Sequence, residues 1–427
     1  MNFELPCVHV APKKGPPCLD TRARMAQWPD ALAHPVLVRI EAHKRGINSF
    51  QKSKSLGNSR LIRGRRFGYG ARASCSCSAQ PLVAERAAMD SFYAMEDRYG
   101  HRINYLRISI TDRCNERCLY CMPQELQEWL PRAEVLNYDE ITRLTRIASE
   151  LGVRKIRVTG GEPLVRQDVL TLFKQLGELP KITDIGISTN GSLLGKPTES
   201  GETVAKRLVR YGVRTANISL DTLNRELYRA ITGRDLLRQT MDGIAAARAA
   251  GFSQIKLNTV LMRGRNEGEL ADLVRFAAAE SLLVRFIELM PVTVTDVLTE
   301  KNFLPVAEAK RRLEEEFGPL IAEPEFKTNG PASYYCFKEL KQRIGFIGAM
   351  TNLHFCESCN KLRLTCDGKL RPCLGSHLEF DIKTPMRRGA GDEELKRFFL
   401  DVVDRKPEQH DFRNNYLPGR RMVAIGG

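Results

Sequence analysis

The sequence predicts an α/β fold, in which an incomplete (β/α)6 barrel of the TIM type is followed by a smaller α+β domain. Segments of alternating or β-branched apolar residues recur mostly about 30 residues apart, separated by segments with helical spacing. This regular pattern stops after Pro291. The predicted strands span residues 105–110, 155–159, 184–189, 214–220, 254–261 and 283–289. Right-handed crossovers would curl such a parallel repeat into an open barrel.

Helices are predicted between these strands and once after the last of them. They span residues 139–151, 169–176, 203–211, 240–250, 267–279 and 306–317. After the last helix, residues 318–327 resemble a linker or an edge, and residues 334–347 predict short strands. We therefore expect three regions: a disordered basic extension over residues 1–88, the barrel over 89–317 and the second domain over 318–427.

The first 88 residues differ from the rest in charge. The chain of 427 residues has a net charge of +15, and residues 1–88 hold 15 Lys and Arg against 5 Asp and Glu. They lack hydrophobic periodicity, which predicts disorder. They fit a mitochondrial transit peptide, a solvated basic tail, or an upstream extension of the reading frame with translation starting at Met89. Because nothing in the segment is patterned for structure, we favour the third.

Charge and hydropathy also bear on partners. Since the basic excess lies mostly in the extension, we expect no nucleic-acid partner. No apolar run approaches about 18 residues, so we expect no membrane span. A cytoplasmic location is predicted, or the mitochondrial matrix if the extension is a transit peptide.

Three cysteines directly follow the first predicted strand, in the segment TDRCNERCLYCMP. Cys114, Cys118 and Cys121 are spaced C-x3-C-x2-C, and thiolates are favoured ligands of iron-sulfur clusters and zinc. Three thiolates leave one iron of a [4Fe-4S] cluster open to a substrate or cofactor, which Tyr120 could cover. Spacing alone also allows structural zinc, buried thiols or part of a disulfide. Spacing and Tyr120 together resemble the signature of the radical S-adenosylmethionine (SAM) superfamily, which favours the cluster.

A second group of cysteines lies near the end of the chain. Cys356, Cys359 and Cys373 are spaced C-x2-C-x13-C, which again suggests a cluster with an open iron. The alternative is a zinc site completed by His354 or another residue. Cys336 is left out because it has no local partner.

A predicted hairpin decides which cysteines belong to this second group. Residues 361–373 predict two strands around a two-residue Asp367-Gly368 turn. That turn would put Cys366 opposite Lys369 at the tip and return Cys373 to the C-x2-C pair. We therefore exclude Cys366, for which the sequence offers no functional account.

Several chemistry-bearing residues follow the carboxyl ends of the predicted strands, where barrels of this type build their sites. They are the first cysteine loop, the Gly-Gly-Glu-Pro turn at 160–163, Asn190-Gly191, Asp221 and Met290. Lys361 and Arg363, on one face of the hairpin, would suit an anionic substrate beside a metal, although a solvated strand face is the alternative.

The two cysteine groups, the six-strand pattern and the terminal Gly-Gly together resemble the GTP 3',8-cyclase family of molybdenum cofactor biosynthesis, over residues 90–427. The resemblance implies two [4Fe-4S] clusters and SAM as cofactors. The first cluster would bind and reductively cleave SAM, and the resulting radical would take the 3' hydrogen of GTP. Bonding of C3' to C8 would then give (8S)-3',8-cyclo-7,8-dihydroguanosine 5'-triphosphate. The open iron of the second cluster would bind guanine.

The resemblance also implies site residues. The SAM site would comprise Tyr120, Gly161, Ser219 and Met290. The GTP site would comprise Arg107, Arg157, Ser188, Lys256, Lys361 and Arg363, with serine at 188 where the family commonly has threonine. Catalytic residues would be Arg107, Arg157, Gly426 and Gly427, the family threading its terminal Gly-Gly into the barrel. The charges agree with this assignment, because a triphosphate needs several cations and Arg107, Arg157 and Lys256 come from three different strands.

Partners follow from the same resemblance. We expect GTP, a flavodoxin- or ferredoxin-type electron donor and a downstream cyclic pyranopterin monophosphate synthase, and we allow for a homodimer. Two alternatives stay open from the residues alone. One is another radical SAM enzyme with an auxiliary cluster, such as a peptide maturase, and the other is a zinc-stabilised nucleic-acid-binding protein.

Overall fold

The computed structural model of the chain describes residues 95–122, 128–293, 297–414 and 416–426. The extension over residues 1–88 lies outside these ranges, so its predicted disorder stays a prediction. The described residues all belong to one compact unit. Among them, no helix combines the length and the apolar character needed to cross a membrane.

Six parallel strands form the barrel wall, which confirms the predicted repeat. They are β1 (Tyr105–Ser109), β2 (Lys155–Thr159), β3 (Asp184–Thr189), β4 (Val213–Ser219), β5 (Gln254–Leu261) and β6 (Leu283–Glu288). They pair in chain order, and each end lies within one residue of the prediction. Pairing sets Arg107 beside Arg157, and Asn217 between Ser188 and Lys256.

Helices between the barrel strands cover the outer face of the sheet, and three further helices lie near the end of the chain. They are α1 (Tyr138–Glu150), α2 (Val169–Gly177), α3 (Val204–Arg210), α4 (Arg225–Thr232), α5 (Leu237–Ala250), α6 (Leu270–Ala279), α7 (Val306–Phe317), α8 (Lys383–Arg387), α9 (Asp392–Asp404) and α10 (Met422–Ile425). At the start of α1, the Asn137 side chain accepts from Glu140 N while the Glu140 carboxylate accepts from Asn137 N. Such a cap contributes about 1 kcal/mol. Ile141 and Leu144 then pack fully buried in the core.

Four helices, α4, α8, α9 and α10, were not predicted, and α8 and α10 have only five and four residues. α4 has only eight residues, too short a window for a clear period, and it begins at an Asn224 cap. α9 is different: Leu395, Phe399 and Val402 are buried at helical spacing, and three acids occupy its first turn. Its pattern was therefore present in the sequence.

The strands that follow the barrel extend both edges of one sheet. They are β7 (Leu320–Ala322), β8 (Ser333–Phe337), β9 (Gln342–Ile347), β10 (Lys361–Leu364), β11 (Lys369–Arg371) and β12 (Phe380–Asp381). β9 pairs in parallel with β6, and β10 pairs in parallel with β1, within a sheet of 12 strands. The predicted division at residue 317 stays a prediction, but these pairings set the late strands directly beside the barrel.

The predicted two-residue turn of the β10–β11 hairpin is wrong. Arg363 pairs with Arg371, and Thr365 N donates to the carbonyl of Lys369 at 2.9 Å. The loop therefore has three residues, Cys366 to Gly368, and Gly368 takes the left-handed conformation (φ 78°) that closes such loops. Cys366 thus lies in the loop rather than opposite Lys369.

Candidate active site

A cavity of about 350 Å³ is lined by side chains from all six barrel strands and from β10. All ten predicted SAM and GTP residues and all six predicted cysteine ligands line it. They are Arg107, Cys114, Cys118, Tyr120, Cys121, Arg157, Gly161, Ser188, Ser219, Lys256, Met290, Cys356, Cys359, Lys361, Arg363 and Cys373. The fold thus brings both cysteine groups to one space, although the roles of individual residues stay predictions.

The first cysteine loop is held by the unpredicted helix α4. Arg117 N and Leu119 N donate to the carbonyls of Thr232 and Ile231 at 2.7 and 3.0 Å. The Arg117 guanidinium donates to the carbonyl of Cys114 at 2.7 Å. These bonds hold the loop against the end of α4, so the positions of the three thiols do not depend on the stiffness of the loop alone.

The three thiols of this loop suit an iron-sulfur cluster by their chemistry. Burial, followed by neighbouring charge, raises the pKa of Cys118 well above its ordinary value, and burial with Glu116 raises the pKa of Cys121 to about 12. Burial and then the charge of Glu162 raise the pKa of Cys114, and the charge of Cys121 adds to the rise at both Cys114 and Cys118. Metal binding would release these protons, because iron binds the thiolate form.

The predicted SAM residues surround this loop. Tyr120 donates to the carboxylate of Asp221 at 2.7 Å, which fixes the ring beside Cys121. Gly161 cannot carry a side chain, because a Cβ there would lie 2.4 Å from the carbonyl oxygen of Arg113. Ser219 ends β4, and Met290 follows β6.

Glu162, in the turn after β2, is a buried acid that lines the cavity. Its carboxylate accepts from Thr189 Oγ1 at 2.8 Å, Asn190 N at 2.7 Å and Leu164 N at 3.0 Å. Burial raises its pKa to about 7, and the backbone donors oppose that rise. The carboxylate therefore ties together the loops that follow β2 and β3.

Six cationic side chains line the rest of the cavity: Arg107, Arg157, Lys256, Arg285, Lys361 and Arg363. Sequence reasoning missed Arg285, which donates to Asn258 Oδ1 at 2.6 and 3.0 Å. Both residues have inward-facing positions on β5 and β6, so strand alternation could have found them. Burial, then the charges of Arg285 and Arg157, lowers the pKa of Lys256 to about 7.

Arg157 is more enclosed than its predicted role as a GTP ligand suggests. Its side chain donates to Tyr105 Oη at 3.1 Å, to the carbonyl of Ile187 at 3.0 Å and to Thr215 Oγ1 at 3.0 Å. It lies across Gly186, where a Cβ would come within 2.4 Å of the guanidinium carbon. Arg157 therefore joins three strands in the structure, whatever it binds.

Tyr105 is a further cavity residue that sequence reasoning missed. Burial alone would raise its pKa, but the charges of Arg157 and Arg107 lower it to about 8. Its hydroxyl is thus an acceptor placed among cations.

The second cysteine group forms between two loops. Cys359 N donates to the carbonyl of Cys356 at 2.9 Å, and the β10–β11 hairpin returns Cys373 to the same cavity. Burial raises the pKa of Cys373, whereas Lys406 and Lys361 outweigh burial at Cys359 and lower its pKa.

His354, the predicted fourth ligand of a zinc site, points elsewhere. Its side chain is 75% exposed and pairs with Glu357 at 2.5 Å. Three soft thiols without this histidine suit a cluster with an open iron better than tetrahedral zinc.

The two excluded cysteines lie outside the cavity. Cys366 is buried, with its sulfur 3.8 Å from the carbonyl oxygen of Ala424, so it packs against the C-terminal segment. Cys336 lies on β8, paired with Arg343 of β9.

The C-terminal segment packs at the ends of β1 and β2. Gly426 is buried with φ 77°, and a Cβ on it would lie 2.7 Å from Thr159 Cγ2 and 3.1 Å from Ser109 Cβ. Its carbonyl accepts from Arg363 Nη1 at 2.6 Å. Only glycine fits this conformation and space. Gly427 lies outside the described residues.

Comparisons with known proteins agree with this geometry. The profile of the radical SAM superfamily matches residues 108–277, and that of Molybdenum Cofactor Synthesis C matches residues 282–412. "GTP 3',8-cyclase" of Moorella thermoacetica is 44% identical over 333 residues, which are 78% of this chain and 100% of that protein. "GTP 3',8-cyclase" of Pelotomaculum thermopropionicum is 42% identical over 333 residues, again 78% of this chain and 100% of that protein.

A solved structure shares the fold. The crystal structure of Streptococcus suis SuiB bound to S-adenosylmethionine superposes with a TM-score of 0.51 at 17% identity, covering 78% of this chain and 72% of that one. At this identity the likeness shows the fold alone.

A partial barrel whose first strand leads into a C-x3-C-x2-C loop defines a radical SAM enzyme, here with a second cysteine group facing the same cavity. Its cofactors are SAM and two [4Fe-4S] clusters. With relatives more than 40% identical over their full length, this chain belongs to the GTP 3',8-cyclase family. That membership sets aside both the peptide maturase and the zinc-stabilised nucleic-acid-binding protein.

Proposed function

We propose that this chain is a lyase that cyclises GTP to (8S)-3',8-cyclo-7,8-dihydroguanosine 5'-triphosphate, the first step of molybdenum cofactor biosynthesis. The observation that carries the proposal is one cavity in which two cysteine groups and six cations meet. Six cations beside two groups of metal-binding thiols suit a polyanionic substrate whose base can bind a metal.

The end of the cavity at the carboxyl end of β1 would hold the first cluster and SAM. Cys114, Cys118 and Cys121 would ligate the cluster, which supplies a 5'-deoxyadenosyl radical when it is reduced with SAM bound. Tyr120 and Gly161 would border SAM. Because Tyr120 is already anchored to Asp221, it needs no rearrangement to close over this position.

The cations would orient the substrate. Lys256 and Arg285 face the cavity from neighbouring strands, and Arg107 and Arg363 pair across β1 and β10. Charges fixed on different strands can engage separate phosphates at once, and the rigid sheet keeps them at constant spacing. Ser188 would add a neutral hydrogen bond from β3. The ribose would then lie between the two cysteine groups.

The other end of the cavity would hold the base. Cys356, Cys359 and Cys373 would ligate the second cluster, leaving one iron to bind guanine. Lys361 and Arg363 lie on the strand between these ligands and face the same space. A base held here and phosphates held by the barrel would fix the ribose in one orientation, which selects a single hydrogen for abstraction.

Three partner proposals extend this function. We propose a flavodoxin- or ferredoxin-type donor, because each turnover needs one low-potential electron to cleave SAM and a second electron, with a proton, to reduce the nucleotide radical left after C3' bonds to C8. The pathway of the family supports a cyclic pyranopterin monophosphate synthase as the next enzyme. A homodimer and a cytoplasmic or mitochondrial location stay predictions.

Isotope transfer tests the proposed reaction. Anaerobically reconstituted protein with SAM and a chemical reductant should convert GTP deuterated at C3' into a product isomeric with GTP, and the deuterium should appear in 5'-deoxyadenosine. GTP deuterated at C4' is the control and should give unlabelled 5'-deoxyadenosine. Deuterium transfer from C4', or radical formation without any cyclised isomer, would overturn the assignment.

Lys256 should make GTP binding dependent on pH. With a pKa of about 7 in the free protein, its ammonium is half charged at neutral pH. A bound triphosphate favours the charged form, so binding takes up a proton. Above about pH 7.5, the Kd for GTP should rise by up to about ten-fold per pH unit, the limit for one proton.

Equilibrium binding without SAM measures this dependence. Tyr105 also titrates near pH 8, so the contribution of Lys256 is measured as the difference in pH slope between wild type and Lys256→Met. The Lys256→Met variant should bind GTP more weakly and lose part of that slope. Lys206→Met is the matched control, since Lys206 is an exposed lysine of α3 that pairs with Glu202 and neither residue lines the cavity. An unchanged slope in Lys256→Met would refute the prediction.

A further inference from the structure

Lys406 is a buried lysine beside the second cysteine group. It follows α9, its residue is 4% exposed, and its Nζ donates to Cys359 Sγ at 3.4 Å and to the carbonyl of Pro372 at 2.9 Å. Burying an ammonium is costly unless an anion and hydrogen-bond acceptors compensate it. A thiolate at Cys359, the form that binds iron, would be that anion.

The two acceptors of Lys406 come from different loops of the second site. Cys359 lies in the loop between β9 and β10, while Pro372 immediately precedes Cys373 at the end of the hairpin. One ammonium therefore joins the C-x2-C pair to the third cysteine. This link fixes the spacing between the Cys356–Cys359 pair and Cys373, the three residues that would ligate the second cluster.

The position of Lys406 is itself set by the barrel. Lys406 N donates to the carbonyl of Val403 at 3.0 Å, in the last turn of α9. α9 is docked on α1 through Asp392, which accepts from Arg143 at 2.9 Å, and through Lys396, 2.8 Å from Glu150. The position of Lys406 is thus determined by a docked helix and not by the cysteine loops.

We propose that Lys406 is a positioning residue of the second cluster, which holds its two ligand loops together and donates a hydrogen bond to the sulfur of Cys359. This rests on the second cluster of the proposed function. A donor to a ligating sulfur withdraws electron density from the iron and raises the reduction potential. It also holds the ligand in place, and outer partners of this kind commonly contribute about 10- to 100-fold in metal affinity or activity.

Lys406→Met in the full chain tests the proposal, since it keeps the length of the side chain and removes the donor. We expect a more negative midpoint potential of the second cluster in an EPR-monitored titration. We also expect iron loss from that cluster to a chelator about ten-fold faster than in wild type. The first cluster should be unaffected, and SAM cleavage should persist.

Arg405→Met is the matched control, because Arg405 is the exposed neighbour that pairs with Asp401. It should behave as wild type. If Lys406→Met does not fold, Lys406→Arg is compared with wild type: it keeps the charge but moves the donor, so the potential of the second cluster should still become more negative, and an unchanged potential would contradict the proposal.

Neither readout involves GTP, so failure here is separate from failure of the proposed reaction. A wild-type potential and wild-type iron retention in Lys406→Met would overturn the proposal. A lowered Tm with an unchanged potential would do the same, because it would show a merely structural lysine.

Discussion

Cys118→Ser is expected to abolish reductive cleavage of SAM, whereas Cys359→Ser should impair GTP cyclisation and leave SAM cleavage in place. Cys118 lies in the loop held by α4, and Cys359 lies across the cavity in the loop before β10. The two groups have different supports and different neighbours. Losing one ligand should therefore damage one cluster without disturbing the other.

Two assays separate these outcomes: 5'-deoxyadenosine formed with reductant, and cyclised nucleotide formed from GTP. Cys336→Ser is the control, since Cys336 lies on β8 outside the cavity, and it should match wild type in both. If Cys359→Ser lost all SAM cleavage while spectroscopy showed an intact first cluster, the division of roles would be wrong.

Deletion of Gly426 and Gly427 should remove most cyclisation while the fold and both clusters stay intact. The Gly426 carbonyl accepts from Arg363, one of the cavity cations, so the deletion leaves that guanidinium without this anchor. The packed segment also fills the ends of β1 and β2 and would exclude water from a reactive radical. SAM cleavage uncoupled from product should therefore continue.

A gentler variant tests the same idea. Gly426→Ala adds a Cβ only 2.7 Å from Thr159 and forces alanine into a left-handed conformation that costs roughly 1–2 kcal/mol. Gly419→Ala is the matched control in the same segment, because its nearest contact would be an ordinary 3.7 Å. A peptide of the last eight residues should partly restore the truncated enzyme. Wild-type product formation by the truncated enzyme would leave the segment without a catalytic role.

The sequence by itself determined the barrel and the inventory of the site. Each strand of the barrel, and each of its helices except the short α4, carries its own periodicity, which is a local property of a short window. The resemblance to the GTP 3',8-cyclase family named Arg107, Arg157 and Lys256, which lie on three different predicted strands. Cysteine spacing identified the first ligand group and the Cys356–Cys359 pair, because ligands on one short loop are near each other in any fold. The predicted hairpin then added Cys373 to the second group.

Only the tertiary structure decided how these parts meet. Nothing local states that β9 joins β6 or that β10 joins β1, since strand partners distant in sequence are chosen by packing of the whole sheet. Those two pairings bring the second cysteine group into the barrel cavity. The hairpin register likewise depended on which loop residue took the left-handed conformation, and that was Gly368. Lys406 reached Cys359 only because α9 docks on α1, a contact between residues about 250 positions apart in the chain.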